Sequence, residues 1–346
     1  MTPSVVTNVN NHSTRRAAGG WRWLRGAISI ALLSWLAAKL NWRELSTIAR
    51  GLRWEWVALA CAIHIANRLL TAAKWQVLLR AKRISFPYLY LVRVVWISNF
   101  FGHFLPAVVG GDSVRMLTMA RESDRAPEVV SSVLMERLTG VTALAALAVL
   151  GAIWSVWSWG TRSVLVAVTL PLGVLFVGLG LLWTTPGARL LGGLFARLPG
   201  RRSLTQVHEA IRSYRHQPAA VLSSLAISLA LQVNRVVIVH GVARALGIHL
   251  LFSQALVLVP PVLFISMLPI SVSGWGVQEG AFVLLFRLAG IGTSAAFVLS
   301  IVHRMIAIAS NLPGAALFFT RGLGRGQAPI PPVSAATIGA RSTWCG

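Results

Sequence analysis

Long apolar runs, at about 24–40, 54–79, 127–154, 163–184, 218–246 and 294–320, constrain this chain more than any other feature. Each is near or beyond the ~20 apolar residues that cross the hydrocarbon core of a bilayer. In lipid the backbone must satisfy its own hydrogen bonds, which leaves helices and closed barrels. The runs are too long and too continuous for the alternating ~10-residue strands of a membrane barrel. The expected class is an all-α polytopic membrane protein. Charge usage agrees, because only 12% of the 346 residues are charged, about half the soluble average.

The charges that remain are lopsided. Lys and Arg number 32 against 9 Asp and Glu, a formal net charge of +23. Nucleic acid is not needed as a partner to explain this. Basic loops hold the cytoplasmic side of a membrane protein and meet anionic head groups, so membrane lipids are the expected partners. Basic clusters precede the first run and occupy residues 80–83, the connector 185–217 and the tail after Arg321. Both termini are therefore expected to be cytoplasmic. The signs agree only if segments 88–112 and 252–290 each enter and leave on one side. That predicts about six spanning helices plus two re-entrant broken-helix hairpins, or up to about eight crossings if the hairpins pass through. The 41–55 loop, with Arg43, Arg50 and Arg53 placed outside, fits poorly. The domain division expected is a disordered tail at 1–20, a transmembrane domain at 21–322 with halves at about 21–160 and 161–322, and a disordered tail at 323–346.

The broken segments hold the chemistry. "FFGHFLPAVVGGDSVRMLTMAR" meets Pro106, then Gly110, Gly111 and Asp112. Pro106 stops one half-helix, the glycines permit positive φ and bare N–H groups, and Asp112 with Ser113 can cap the next helix. The second segment is expected to be interrupted by Pro260, Pro261 and Pro269, and carries Gly274, Gly276 and Gly280 around Glu279. Asn67-Arg68 recurs as Asn234-Arg235, Asp112 as Glu279 and Arg137 as Arg304, each 167 positions later. In the topology above the repeat is inverted, a design in which a site forms near the midplane where the halves meet.

Intramembrane charges are either functional or hold the bundle together by pairing. Arg137 is a candidate partner for Asp112, and Arg304 for Glu279. Glu136 neighbours Arg137 and points elsewhere on the same helix. Arg115 follows the first hairpin and either meets lipid phosphate or anchors it. Asn67, Arg68, Asn234 and Arg235 fit interhelical hydrogen bonding or a substrate path. The histidines are scattered without metal spacing, and no phosphate-binding loop or nucleophile elbow occurs. No cofactor, metal or catalytic residue is expected.

"NFFGHFLPAVVGGDSVRMLTMAR", "SSVLMERLTGV", "LPISVSGWGVQEGAF" and "SIVHRMIAI" resemble the lysylphosphatidylglycerol synthase transmembrane family. This is the flippase-like domain of multiple peptide resistance factors, also found as stand-alone proteins. The resemblance covers roughly residues 22–322. Its motif positions are Gly110, Gly111, Asp112, Arg115, Glu136, Arg137, Gly274, Gly276 and Glu279. It implies a bacterial inner-membrane protein that moves or handles lipids or lipid-linked glycans. The full synthases add a soluble lysine-transferring domain; this chain ends soon after its last helix, so it is not expected to make lysyl-lipid.

The function expected is a lipid flippase or lipid-linked-substrate transporter. Arg115, Arg137 and Arg304 would attract phosphate. Asp112 and Glu279 would balance them, bind a cationic head group or carry a proton. The rivals are a scaffold subunit for a membrane enzyme partner, and a membrane glycosyltransferase or lipid transferase, which would usually hold its carboxylates on a large outside loop.

Overall fold

The computed structural model describes residue 34 and residues 51–104, 110–159, 209–267 and 271–321. The expected helices at 24–40 (residue 34 apart) and 163–184, both tails, most of the basic connector, Pro106 and Pro269 lie outside the described residues. Among those described there is no strand. The helices are α1 Trp54–Ala81, α2 Tyr88–Phe104, α3 Gly110–Glu122, α4 Ala126–Trp159, α5 Pro218–Ala245, α6 Phe252–Ser266, α7 Val277–Phe286, α8 Thr293–Ala309 and α9 Leu312–Arg321. Trp54–Ala81, Ala126–Trp157, Pro218–Ala245 and Thr293–Thr320 are long and apolar enough to cross a membrane. The chain is thus an all-α membrane protein.

Local chemistry marks the boundaries. Glu55 stands in the first turn of α1, where the helix dipole favours a carboxylate. After α1, Arg83 takes a positive φ of 57°, and Ile84 N–H returns to the Leu79 carbonyl. Pro218 opens α5, a position where its missing N–H costs nothing.

The run 294–320, read above as one helix, is broken. Ser310 and Asn311 turn their side chains back onto the Ile306 and Ala307 carbonyls, and Pro313 supplies no N–H to continue the ladder. The result is α8 followed by α9.

α1 and α5 form the most extensive helix pair, and α4 packs on both. α2 packs with α3, and α6 with α7; α6 rests on α4, and α9 rests on α2. The main core gathers Val236, Val239, Val242, Val257, Val259 and Phe282. Leu59, Leu150, Trp157, Leu222 and Phe319 remain on the outside. Such a surface would aggregate in water and suits lipid.

Four sequence expectations about the hairpins change. Pro260 and Pro261 do not interrupt the second segment but lie inside α6. Gly111 has no positive φ; it is needed for a close approach. A Cβ there would overlap the Ser98 carbonyl oxygen and sit 3.2 Å from the Gly102 Cα. Asp112 and Ser113 are not caps, because α3 already begins at Gly110. Gly280 is an ordinary residue of α7 with open space around it. In contrast, Gly274 (φ 75°) and Gly276 (φ 82°) occupy conformations that disfavour other residues.

Gly314 brings α9 against α2, and a Cβ there would overlap the Trp96 carbonyl oxygen. Gly314→Val is expected to lower stability by about 1–3 kcal/mol, read as thermal melting of the detergent-purified protein. Melting unchanged from wild type would mean that α9 does not dock on α2.

Candidate functional site

α3 and α4 bring four charges into one chain. Arg115 donates from Nη2 to Asp112 Oδ1 at 3.0 Å and reaches Glu136 Oε2 with Nη1 at 2.5 Å. Arg137 Nε bonds the other Asp112 oxygen. Although Glu136 and Arg137 are adjacent on α4, α3 lies where both can reach it. Asp112, Arg115 and Glu136 are buried, at 7%, 3% and 9% exposure, whereas the Arg137 side chain is 42% exposed. The Arg115 guanidinium stacks 4.9 Å over Trp75, whose Nε1 donates to Ser132. Lys74 Nζ donates to the Glu136 carbonyl at 2.6 Å.

The second half pairs its acid and arginine at the same 25-residue separation, but in closed surroundings. Glu279 is fully buried. Its Oε1 accepts from Arg304 Nε at 2.7 Å and its Oε2 from the Gly276 N–H at 2.6 Å. The remaining Arg304 nitrogens donate to the Ser273 and Gly274 carbonyls at 3.2 and 3.1 Å. The guanidinium lies 4.4 Å over Trp275. Each polar group of this clasp has a hydrogen-bond partner, as a buried ion pair requires.

Between α1 and α5, Asn234 Nδ2 donates to Asn67 Oδ1 at 2.9 Å. The next residue on each helix, Arg68 and Arg235, lines a polar cavity of about 260 Å³. Asp112, Arg115, Glu136 and Arg137 form another part of its wall. A second cavity of similar size shares Arg68, Asp112 and Arg137 with the first and reaches Arg304. The structure therefore brings seven of the ten candidate path residues to these two spaces. Asn67, Asn234 and Glu279 stand behind the walls.

Lys74 and Gln232 also belong to the first cavity, and sequence reasoning missed both. Their signal was a polar stripe at helical spacing on an otherwise apolar helix. On α1 it runs Asn67, Thr71, Lys74, and on α5 it runs Ser224, Ser228, Gln232, Arg235. Gln232 is buried and donates to the Gly140 carbonyl.

The arrangement suits binding and charge neutralisation. It holds fixed guanidiniums, paired carboxylates and room for a small polar group, with no activated nucleophile among the described residues. No match to the chain was found among the curated proteins or among the solved structures. Residues 22–314 match the family described as the lysylphosphatidylglycerol synthase TM region. With most of its length inside that match, the chain belongs to this membrane-domain family.

Proposed function

We propose that this protein is a flippase-like transporter of the bacterial inner membrane. It carries the head group of a phospholipid or lipid-linked substrate through the polar space between α1, α3, α4 and α5. The observation that carries this reading is a charged cavity lined in large part by three helices of membrane-spanning length, α1, α4 and α5. Charge at that depth is expensive, and a bundle held by packing alone does not need it. A head group crossing a bilayer does need a polar path shielded from lipid.

The inverted-repeat reading is supported by matched parts. Each half runs long helix, helix, short helix, then a long apolar stretch. Each has one acid–arginine pair at the same separation. Asn67 and Asn234, equivalent under the repeat, touch each other, as residues flanking a pseudo-two-fold axis do. Sites of this kind lie between inverted halves in many transporters. Cytoplasmic termini follow from the basic flanks.

The test is translocation of head-group-labelled lipids by the purified protein in liposomes, against protein-free vesicles. Movement of one lipid class above the control is the expected result. A folded protein that moves none of a broad panel would contradict the proposal.

A further inference from the structure

The first cavity has more positive charge than its own carboxylates can neutralise. Among the described residues, Arg68, Lys74, Arg115, Arg137 and Arg235 line it against Asp112 and Glu136, an excess of three positive charges. The pairing pattern shows where the excess lies. Arg115 bridges both carboxylates and Arg137 takes the second Asp112 oxygen. Lys74 bonds a backbone carbonyl, which carries no net charge. Arg68 and Arg235 form no ion pair or hydrogen bond with any described residue. The Arg68 Nε is buried with no acceptor.

This distribution revises the expectation from sequence that Arg115, Arg137 and Arg304 hold phosphate. Those three are already neutralised. The uncommitted cations are Arg68 and Arg235, on adjoining positions of the central helix pair, with Lys74 on the same polar stripe as Asn67. Two guanidiniums facing one small space repel each other unless an anion lies between them. Their planar forks suit phosphate oxygens. A phosphodiester brings one negative charge, and a terminal phosphate about −1.5 to −2 near neutral pH.

We infer that this cavity selects a phosphate carrying two or more negative charges, a phosphomonoester or diphosphate, gripped between Arg68 and Arg235 with Lys74 as the third contact. The inference rests on the transport reading only in placing that phosphate on a lipid. A singly charged head group leaves one of these two arginines without a counter-charge, whereas a doubly charged one matches both.

The test is binding to the purified protein in mixed micelles containing phosphatidic acid, phosphatidylglycerol or phosphatidylcholine. Parallel arms use soluble inorganic phosphate and diphosphate at matched ionic strength. Phosphatidic acid is expected to bind on the order of tenfold or more tighter than phosphatidylglycerol, the difference of one charge-assisted contact. Arg68→Met and Arg235→Met should each remove most of that preference. Neither should lower the melting temperature without ligand, because each removes a repelling charge; a purely structural arginine would lower it. Binding of soluble diphosphate without any response to phosphatidic acid would keep the dianion site and move its source to a soluble ligand. Equal binding of phosphatidic acid and phosphatidylglycerol, or a preference that survives in both variants, would overturn the inference. Lipid translocation together with that result would leave the transport reading standing.

Discussion

Replacing Glu279 with alanine is expected to cost about 3–5 kcal/mol, because it leaves a buried charge without its partner. Glu279 is fully buried and Arg304 is 5% exposed. Their contact at 2.7 Å is the only carboxylate contact Arg304 makes among the described residues. The same change orphans the Gly276 N–H, which Glu279 accepts at the start of α7. Glu279→Gln keeps an acceptor at that N–H and should lose less. A Glu279→Leu/Arg304→Met double variant should regain much of the loss, because no unpaired charge remains inside. The exposed Arg53–Glu55 pair is the control: its side chains are 55% and 66% exposed, and Glu55→Gln should change stability by about 0–1 kcal/mol. Thermal melting of the four detergent-purified variants beside wild type reads all of this. A Glu279→Ala protein that melts with wild type would mean that the clasp is not formed.

Gly111→Val should be nearly as damaging. The new side chain would collide with the Ser98 carbonyl oxygen and approach the Gly102 Cα, both backbone atoms of α2. Neither can swing aside as a flexible side chain could, so α2 and α3 must separate. Overpacking of this kind costs about 1–3 kcal/mol and sometimes more. It also displaces the next residue, Asp112, from Arg115 and Arg137, so transport should fall along with stability. Gly280→Ala is the matching control. It lies inside α7 with no neighbour where a Cβ would go, and alanine there should be neutral or stabilising by about 0.5–1 kcal/mol. If the two variants melted alike, the close contact of α2 and α3 would be wrong.

Much of the frame was readable from residues alone. Helix-length apolar runs placed α1, α4 and α5 to within a few residues, since in lipid that signal has few competitors. The recurrence at 167 positions pointed to Asp112 with Arg137 and to Glu279 with Arg304, and both pairs are formed. The break after Ala309 was hidden because Ser310, Asn311 and Pro313 interrupt a run that stays apolar on both sides. The role of Gly111 was hidden because it depends on how closely α2 passes α3, which no local pattern encodes. The partition of the arginines was likewise illegible. Whether Arg115 or Arg68 meets a carboxylate is decided by the rotation of α3 against α4 and of α1 against α5. Lys74 and Gln232 could have been found from the polar stripes on their helices.

The most direct measurement is lipid translocation by wild type and by Asp112→Asn, side by side in liposomes of the same composition. Asp112 joins Arg115 to Arg137 at the wall shared by both cavities, so removing its charge would unpair Arg137 and raise the positive excess along the proposed head-group path. The expected result is movement of a lipid class by wild type, reduced on the order of tenfold or more in a folded, monodisperse Asp112→Asn protein. Equal rates for the two proteins would contradict a path through this cavity.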